Sequence, residues 1–276
     1  MKMKQCDICP RNCLIAEGET GFCGARANNG SEIICESYGR LTSMALDPIE
    51  KKPLNRFKPG SNILSVGSYG CNLSCGFCQN HRISMSKGTD LAITQVTPDE
   101  LVKNAVHLIS SGNMGLAYTY NEPMIGYEFV KDCCELTHKA GLNNIIVSNG
   151  YINKAPLEKI LPLIDVANID LKSFSRSFYD KIGGDLERVK ESIKLYSENC
   201  HLEITCLIIP NENDDPEMIR EMCKWLSSIR RDIPLHLSRF FPAYKYSDRT
   251  ATSKKEIDDL CGIAEKYLDH VYKGNY

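Results

Sequence analysis

The feature that most constrains the fold is a regular alternation, from residue 62 onward, of short apolar runs and longer amphipathic segments. The amphipathic segments predict helices, the first of them beginning after Thr97, a residue type that caps helix N-termini. Because each apolar run is nearly continuous and is followed by a helix, we expect a parallel sheet covered by helices. The predicted strands are 62–68, 115–120, 144–148, 166–171, 203–209 and 234–239, and the predicted helices are 98–111, 124–140, 155–162, 185–198, 215–230 and 253–269.

Six strand–helix units are fewer than the eight of a closed (β/α)8 barrel. We therefore predict an α/β fold built as a partial (β/α)6 TIM-like barrel that is open on one side. A doubly wound open sheet is the alternative, which periodicity does not separate from the barrel. We assign the barrel to residues 61–276, and residues 1–60 to a Cys-rich metal-binding extension and connector. The Pro-rich stretch 47–61 is predicted to be an extended segment lying over the core.

The charges are balanced and well mixed, with 33 basic and 35 acidic residues and without long runs of one sign. This pattern predicts neither a nucleic-acid partner nor a membrane surface. The amino terminus has no apolar segment of the length of a secretory signal, so we expect a cytoplasmic protein. Its 14 cysteines should then be thiols, and clustered ones indicate metal or redox chemistry more than disulfides.

Both candidate architectures place ligands at the carboxyl ends of the parallel strands. The polar residues that follow each apolar run are therefore the candidate site residues. They are Cys71 to Cys78 after the first strand, Asn121 and Glu122 after the second, Ser148 and Asn149 after the third, Asp170 and Lys172 at the fourth, Asn211 and Asn213 after the fifth, and His236 to Arg239 at the sixth.

The loop after the first strand carries Cys71, Cys75 and Cys78 in the pattern Cys-x3-Cys-x2-Cys. Thiolates spaced this closely on a glycine-bearing loop can converge on one soft-metal centre. Because a cubane has four irons, three cysteines leave one iron without a protein ligand. That open position can chelate a substrate, as the free coordination position of a catalytic zinc does.

A second cysteine set lies in the first 23 residues, and it consists of Cys6, Cys9, Cys13 and Cys23. Four thiolates can close a tetrahedral zinc site or hold a second iron–sulfur cluster. Either metal would stabilise a segment that has little core of its own. The spacing does not separate zinc from iron–sulfur, and it predicts a structural or electron-relaying role because no open ligand position is left.

The Cys-x3-Cys-x-aromatic-Cys loop, with Phe77 as the aromatic residue, resembles the radical S-adenosylmethionine (SAM) superfamily. Over most of its length the chain resembles the group that contains pyruvate formate-lyase activating enzyme, and within it the AmmeMemoRadiSam-type proteins. The motifs that carry this resemblance are DPIEKKPLNRFKPGS (47–61), GCNLSCGFCQN (70–80), TYNEP (119–123), SNGY (148–151), NIDLKSF (168–174), IIPNENDD (208–215) and VYKGN (271–275).

The resemblance implies roles for single residues. Glu122 matches the Gly-Gly-Glu element that accepts a hydrogen bond from the SAM amino group, with Tyr120 and Asn121 in place of the two glycines. Lys172 matches a lysine near the SAM carboxylate. His236 matches a histidine near the adenosine or methionine part of SAM. Asp170 and Ser148 match two ligands of a monovalent-cation site, at which Val147 replaces a further acidic ligand. Cofactor contacts are thus expected from Phe77, Asn121, Glu122, Ser148, Asn149, Asp170, Lys172 and His236.

The resemblance also implies the reaction. A [4Fe–4S] cluster on Cys71, Cys75 and Cys78 would cleave SAM reductively to methionine and a 5′-deoxyadenosyl radical, which abstracts hydrogen from a protein or a small molecule. The implied partners are an electron donor such as flavodoxin or ferredoxin and a protein substrate. The alternative is a non-catalytic iron–sulfur or zinc protein that serves as a scaffold or transfers electrons.

Overall fold

The structure is a computed structural model that describes residues 2–276. The strands of this range are β1 Met3–Gln5, β2 Leu14–Ala16, β3 Arg26–Asn28, β4 Ile33–Cys35, β5 Arg40–Leu41, β6 Ser43–Pro48, β7 Asn62–Gly67, β8 Thr94–Gln95, β9 Asn113–Tyr118, β10 Asn143–Ser148, β11 Val166–Asp170, β12 His201–Ile208, β13 Leu235–Arg239 and β14 Val271–Gly274. The α-helices are α1 His81–Ser84, α2 Pro98–His107, α3 Tyr127–Lys139, α4 Lys154–Ile160, α5 Arg176–Ile182, α6 Leu186–Asn199, α7 Pro216–Ile229 and α8 Lys254–Ala264. None of the helices in residues 2–276 is both long and apolar enough to cross a bilayer.

One large sheet organises the described chain, with the strand order β14-β13-β12-β11-β10-β9-β7-β6. Every neighbouring pair from β7 to β14 is parallel, and β6 pairs antiparallel with β7. Asp47 on β6 and Lys273 on β14 line one cavity although their strands are the two edges of the sheet. The sheet is therefore curved, with its edges facing each other across a gap. This arrangement confirms the partial barrel and not the doubly wound alternative.

The segment between β6 and β7 fills the inside of the barrel near the amino ends of the strands. Ile49 and Leu54 pack there against an apolar group that includes Ile63 on β7 and Val166 on β11. The Asn168 side chain donates to the carbonyl oxygen of Pro53 at 2.7 Å. The part of the Pro-rich stretch up to Leu54 is thus a plug, and the opposite, carboxyl end of the barrel remains available for ligands.

Two strands and one helix of the core were not predicted. Strand β6 ends in a proline and β14 has few apolar residues. Both features are tolerated because each strand occupies an edge of the sheet and pairs on one side only, and they leave no clear strand pattern in the sequence. Helix α5 is short and follows directly on the β11 loop. Residues 43–48, which we had assigned to the extension and connector, form an integral strand of the sheet. The division of the chain at residue 60 stays a prediction.

The predicted start of α2 is confirmed. The Thr97 side chain accepts a hydrogen bond from the backbone N–H of Glu100, and the Glu100 carboxylate accepts one from the backbone N–H of Thr97. We expect Thr97→Ala to lower the free energy of unfolding by about 1 kcal/mol, because an N-cap is lost. Urea denaturation measures the change. Thr250→Ala, at an exposed position, should leave the unfolding curve almost unchanged.

Candidate active site

The cysteine loop leaves β7 and brings three thiols to one cavity. Cys71, Cys75 and Cys78 all line a cavity of about 290 Å³ at the carboxyl end of the barrel. Gly70 begins the loop with a φ of +86°, a left-handed conformation that favours glycine. A Cβ at this position would lie 2.3 Å from the carbonyl oxygen of Cys23, so a side chain would push the loop away from the amino-terminal segment.

Hydrogen bonds from outside the loop hold it in place. Arg11 donates through Nε to the carbonyl oxygen of Asn72 at 2.6 Å and through Nη2 to that of Gly183 at 2.7 Å. The buried Asn72 side chain donates to the carbonyl oxygen of Tyr151 and accepts from the Asn149 side chain at 2.9 Å. Asn72 lies within the predicted cysteine loop. Arg11 was not predicted, because contacts 61 residues or more apart leave no local pattern.

Glu122 is a buried carboxylate that faces the same cavity. Burial raises its pKa to about 7, although it accepts hydrogen bonds from the backbone N–H groups of Asn149 and Met124 and from the Ser148 hydroxyl. These bonds are 2.8 to 3.0 Å long. A buried carboxylate held by neutral donors is well suited to receive a cationic group of a ligand.

Tyr120 occupies one of the two positions at which the resemblance expects glycine. Its φ is +73°, so the backbone has the left-handed conformation that glycine favours although the side chain is large. The side chain is anchored elsewhere, because its hydroxyl donates to Asp47 at 2.8 Å and Lys52 lies over its ring. Tyr120 therefore adopts a backbone conformation that is also open to glycine.

Lys172 and Asp170 form an ion pair at the end of β11, with 2.9 Å between Nζ and Oδ2. Burial lowers the pKa of Lys172, but the Asp170 carboxylate outweighs this effect and the net shift is upward. Both residues line the cavity with Val147 and Ser148. Asp170 is thus paired with a lysine and Ser148 bonds to Glu122, so both proposed cation ligands already have protein partners.

Phe77 and Asn121 also lie where the sequence placed them. The Phe77 ring lines the cavity and packs 5.9 Å from the Tyr246 ring. Asn121 donates to the carbonyl oxygens of Tyr69 and Gly70 and accepts from the backbone of Ser68, which ties the β9 loop to the cysteine loop. Ser238, within the predicted range His236 to Arg239, lines the cavity too. Thr205 and Leu207 also line it, and they were not predicted although they stand on the inner face of a predicted strand.

His236 lies outside this cavity. It lines an adjoining cavity between the sheet edges, and its Nε2 is 2.6 Å from Oε2 of Glu203. His201 also bonds to Glu203, and the Tyr272 ring stacks on His236 with 5.1 Å between centroids. The structure thus shows His236 as part of a buried polar network. A contact between His236 and SAM stays a prediction.

Glu203 was missed by sequence analysis, and it supports a prediction on acid stability. Burial raises its pKa, but hydrogen bonds from His201, from His236 and from two backbone N–H groups outweigh burial and lower it to about 2. The lowered pKa of Glu203 stabilises the folded state at pH values above 4.5, which is the pKa of the same group in the unfolded chain. This stabilisation is lost as the pH falls toward 2. We expect Glu203→Gln in the cluster-free protein to cost up to about 3 kcal/mol at neutral pH.

Denaturant titrations of the two proteins at several pH values measure this effect. The difference in stability should shrink between pH 4.5 and 2. Glu198→Gln, at an exposed position, should show no such convergence. A difference that stays constant across this range would contradict the assignment.

The cavity fits an iron–sulfur cluster with a zwitterionic ligand. Three thiols face it, Cys71 accepts a hydrogen bond from the backbone N–H of Leu73 at 3.4 Å, and Glu122 and Lys172 offer opposite charges on its walls. Burial raises the pKa of Cys71 and Cys75, so a bound cationic metal would be needed to hold both as thiolates. In residues 2–276, no three His, Cys, Asp or Glu side chains are placed to hold a single metal ion. A cubane separates the thiolates that bind its different irons, so this spread of sulfurs suits a cluster.

The site thus combines a curved parallel sheet with three thiols on the loop after its first parallel strand, an arrangement suited to an iron–sulfur cluster. Comparison with known families identifies the class, because the radical SAM superfamily model matches residues 65–226. The chain belongs to the radical SAM superfamily. Members of this family use a [4Fe–4S] cluster and SAM, and these are the cofactors of this chain.

Two curated proteins show what the chain is similar to. An uncharacterized protein of Methanocaldococcus jannaschii is 39% identical over 275 residues, which are 98% of this chain and 81% of the relative. The pyruvate formate-lyase 1-activating enzyme of Escherichia coli is 24% identical over 216 residues, covering 72% of this chain and 86% of that enzyme. The resemblance to the activating enzymes is thereby confirmed as distant homology.

A solved structure shares the fold. Streptococcus suis SuiB bound to S-adenosylmethionine superposes with a TM-score of 0.56 at 15% identity, over 75% of this chain and 48% of SuiB. At this identity the similarity concerns the fold alone. The family match and the homology to an activating enzyme support a radical SAM enzyme, and its fold is a partial barrel.

Proposed function

We propose that this enzyme abstracts hydrogen from a substrate that reaches the cavity through the open side of the barrel. The cluster would be held by Cys71, Cys75 and Cys78, and it would supply one electron for cleaving SAM into methionine and a 5′-deoxyadenosyl radical that takes the hydrogen. Glu122 would accept a hydrogen bond from the SAM amino group. Lys172 would form an ion pair with the SAM carboxylate.

The observation that carries this proposal is the continuity of two cavities. A second cavity of about 690 Å³ lies between β6 and β14, where the sheet does not close. It shares Pro53, Tyr120, Ser238 and Asn275 with the cavity that the cysteines face. A bulky substrate can therefore approach the cysteine loop from the side, without displacing the strands.

For the substrate we propose a glycine in a partner protein, as in glycyl-radical enzymes. The support is the homology to an activating enzyme and the cavity of about 690 Å³ between the sheet edges. Gln79, Asn80, Ser84 and Met85 line the cavity, so residues 79–92 would form part of the docking surface. A reduced flavodoxin or ferredoxin would be the electron donor. A small-molecule substrate is the competing outcome.

Anaerobic reconstitution with iron and sulfide, followed by dithionite and SAM, tests the reaction. We expect 5′-deoxyadenosine and methionine in equal amounts, measured by liquid chromatography with mass detection. A partner protein labelled with deuterated glycine should transfer deuterium into 5′-deoxyadenosine. No 5′-deoxyadenosine with any candidate substrate would overturn the proposed reaction, and deuterium transfer from a small molecule instead would overturn the glycine assignment.

A further inference from the structure

The four amino-terminal cysteines meet around a small cavity of their own. Cys6, Cys9, Cys13 and Cys23 all line it, and three of them are buried. Two backbone hydrogen bonds fold the chain around this cavity. The N–H of Cys6 donates to the carbonyl oxygen of Cys13 at 2.9 Å, and the N–H of Gly24 donates to the carbonyl oxygen of Gly21 at 3.0 Å. All four cysteines come from one continuous segment of the sequence, residues 6–23.

The thiols surround a space and do not converge on one point. The cavity has a volume of about 10 Å³, which is close to the room that a water-sized sphere needs. A zinc ion needs its sulfur ligands about 2.3 Å from one point, and the four thiols are not placed in that way within residues 2–276. The same holds for Cys71, Cys75 and Cys78 on the cysteine loop, because in the described part of the chain neither cysteine set is placed to hold a single ion.

A buried cation completes the lining. Arg26 lines the cavity with its side chain 5% exposed, and its Nη1 binds the Glu128 carboxylate at 2.6 Å. Its buried Nε–H has no hydrogen-bond partner among the described residues. An unpaired buried donor costs about 1–3 kcal/mol, so a missing acceptor is indicated. The sulfur atoms of a cluster are acceptors of the required kind.

We propose that Cys6, Cys9, Cys13 and Cys23 hold a second iron–sulfur cluster, with the Nε–H of Arg26 donating to one of its sulfur atoms. Because four thiolates ligate this cluster, no iron is left open and SAM does not bind it. The proposal decides between zinc and iron–sulfur, which the cysteine spacing left open. It does not depend on the substrate or on SAM cleavage.

The second site also touches the cysteine loop of the active site. The Cys23 carbonyl oxygen lies so near Gly70 that a side chain there would collide with it, and Arg11, between Cys9 and Cys13, holds Asn72. Assembly of the amino-terminal cluster therefore orders the backbone that carries Cys71. Loss of that cluster should loosen the SAM site without removing its ligands.

The test uses the full chain with the triple substitution Cys71→Ala, Cys75→Ala and Cys78→Ala, reconstituted anaerobically. This variant should retain about half of the wild-type iron and acid-labile sulfide, since one of two clusters remains. After reduction it should give an electron paramagnetic resonance signal that SAM does not change. Zinc without iron, or no metal at all, in this folded variant would overturn the proposal.

The reciprocal variant is Cys9→Ala with Cys13→Ala, which should lose the SAM-insensitive signal and keep the SAM-sensitive one. Cys200→Ala, outside both cysteine sets, is the control and should keep all the iron. Arg26→Lys retains the charge but lacks the Nε–H, so it should shift the reduction potential of the SAM-insensitive signal alone. An unchanged potential would overturn the role given to Arg26.

Discussion

Cys75→Ala is expected to abolish 5′-deoxyadenosine formation while leaving the barrel folded. Cys75 is buried, and it lies in the loop that faces the candidate SAM cavity. With two thiolates left, the loop cannot keep three irons of a cubane ligated and one open. We therefore expect activity to fall to background, measured anaerobically with excess dithionite and SAM, with the loss of the SAM-sensitive electron paramagnetic resonance signal.

A matched control separates loss of the cluster from loss of the fold. Cys261→Ala removes an equally buried thiol from α8, outside both cysteine sets, and should retain the activity. Circular dichroism should show the same helix content in both variants. If Cys75→Ala kept a SAM-sensitive cluster and made 5′-deoxyadenosine, the assignment of this loop to the SAM cluster would be wrong.

The second large effect is expected from Glu122→Gln. The substitution keeps the shape of the side chain but removes the negative charge that faces the cavity. A hydrogen bond between charged groups contributes about 1.5–3 kcal/mol, so SAM should bind about 10- to 100-fold more weakly. Isothermal titration of the reconstituted protein with SAM measures this change.

Two further measurements separate an effect at Glu122 from a general charge effect and from loss of the cluster. Glu198→Gln, on the exposed face of α6, should bind SAM like the unaltered enzyme. Glu122→Gln should keep its full iron content, because Glu122 is not among the cluster ligands that we propose. Unchanged affinity in Glu122→Gln would remove this residue from the binding site.

The sequence predicted the repeating part of the fold well. All six predicted strands and the six predicted helices are present, because each buried strand and each amphipathic helix carries its own periodicity. The edge strands β6 and β14 were missed, since an edge strand needs less apolar surface than a central one. The Pro-rich stretch was placed over the core, whereas Ile49 and Leu54 plug the inside of the barrel.

Local pattern therefore determined the fold class, the position of the cysteine loop and the polar residues at the strand ends, of which Glu122, Asp170 and Lys172 do share one cavity. Tertiary structure alone decided which distant groups bond to one another. It paired Arg11 with the cysteine loop, Glu203 with His236, and Arg26 with the cavity of the amino-terminal cysteines. The physical reason is that burial and hydrogen bonding between remote segments depend on how the sheet curves, which no short stretch of sequence encodes.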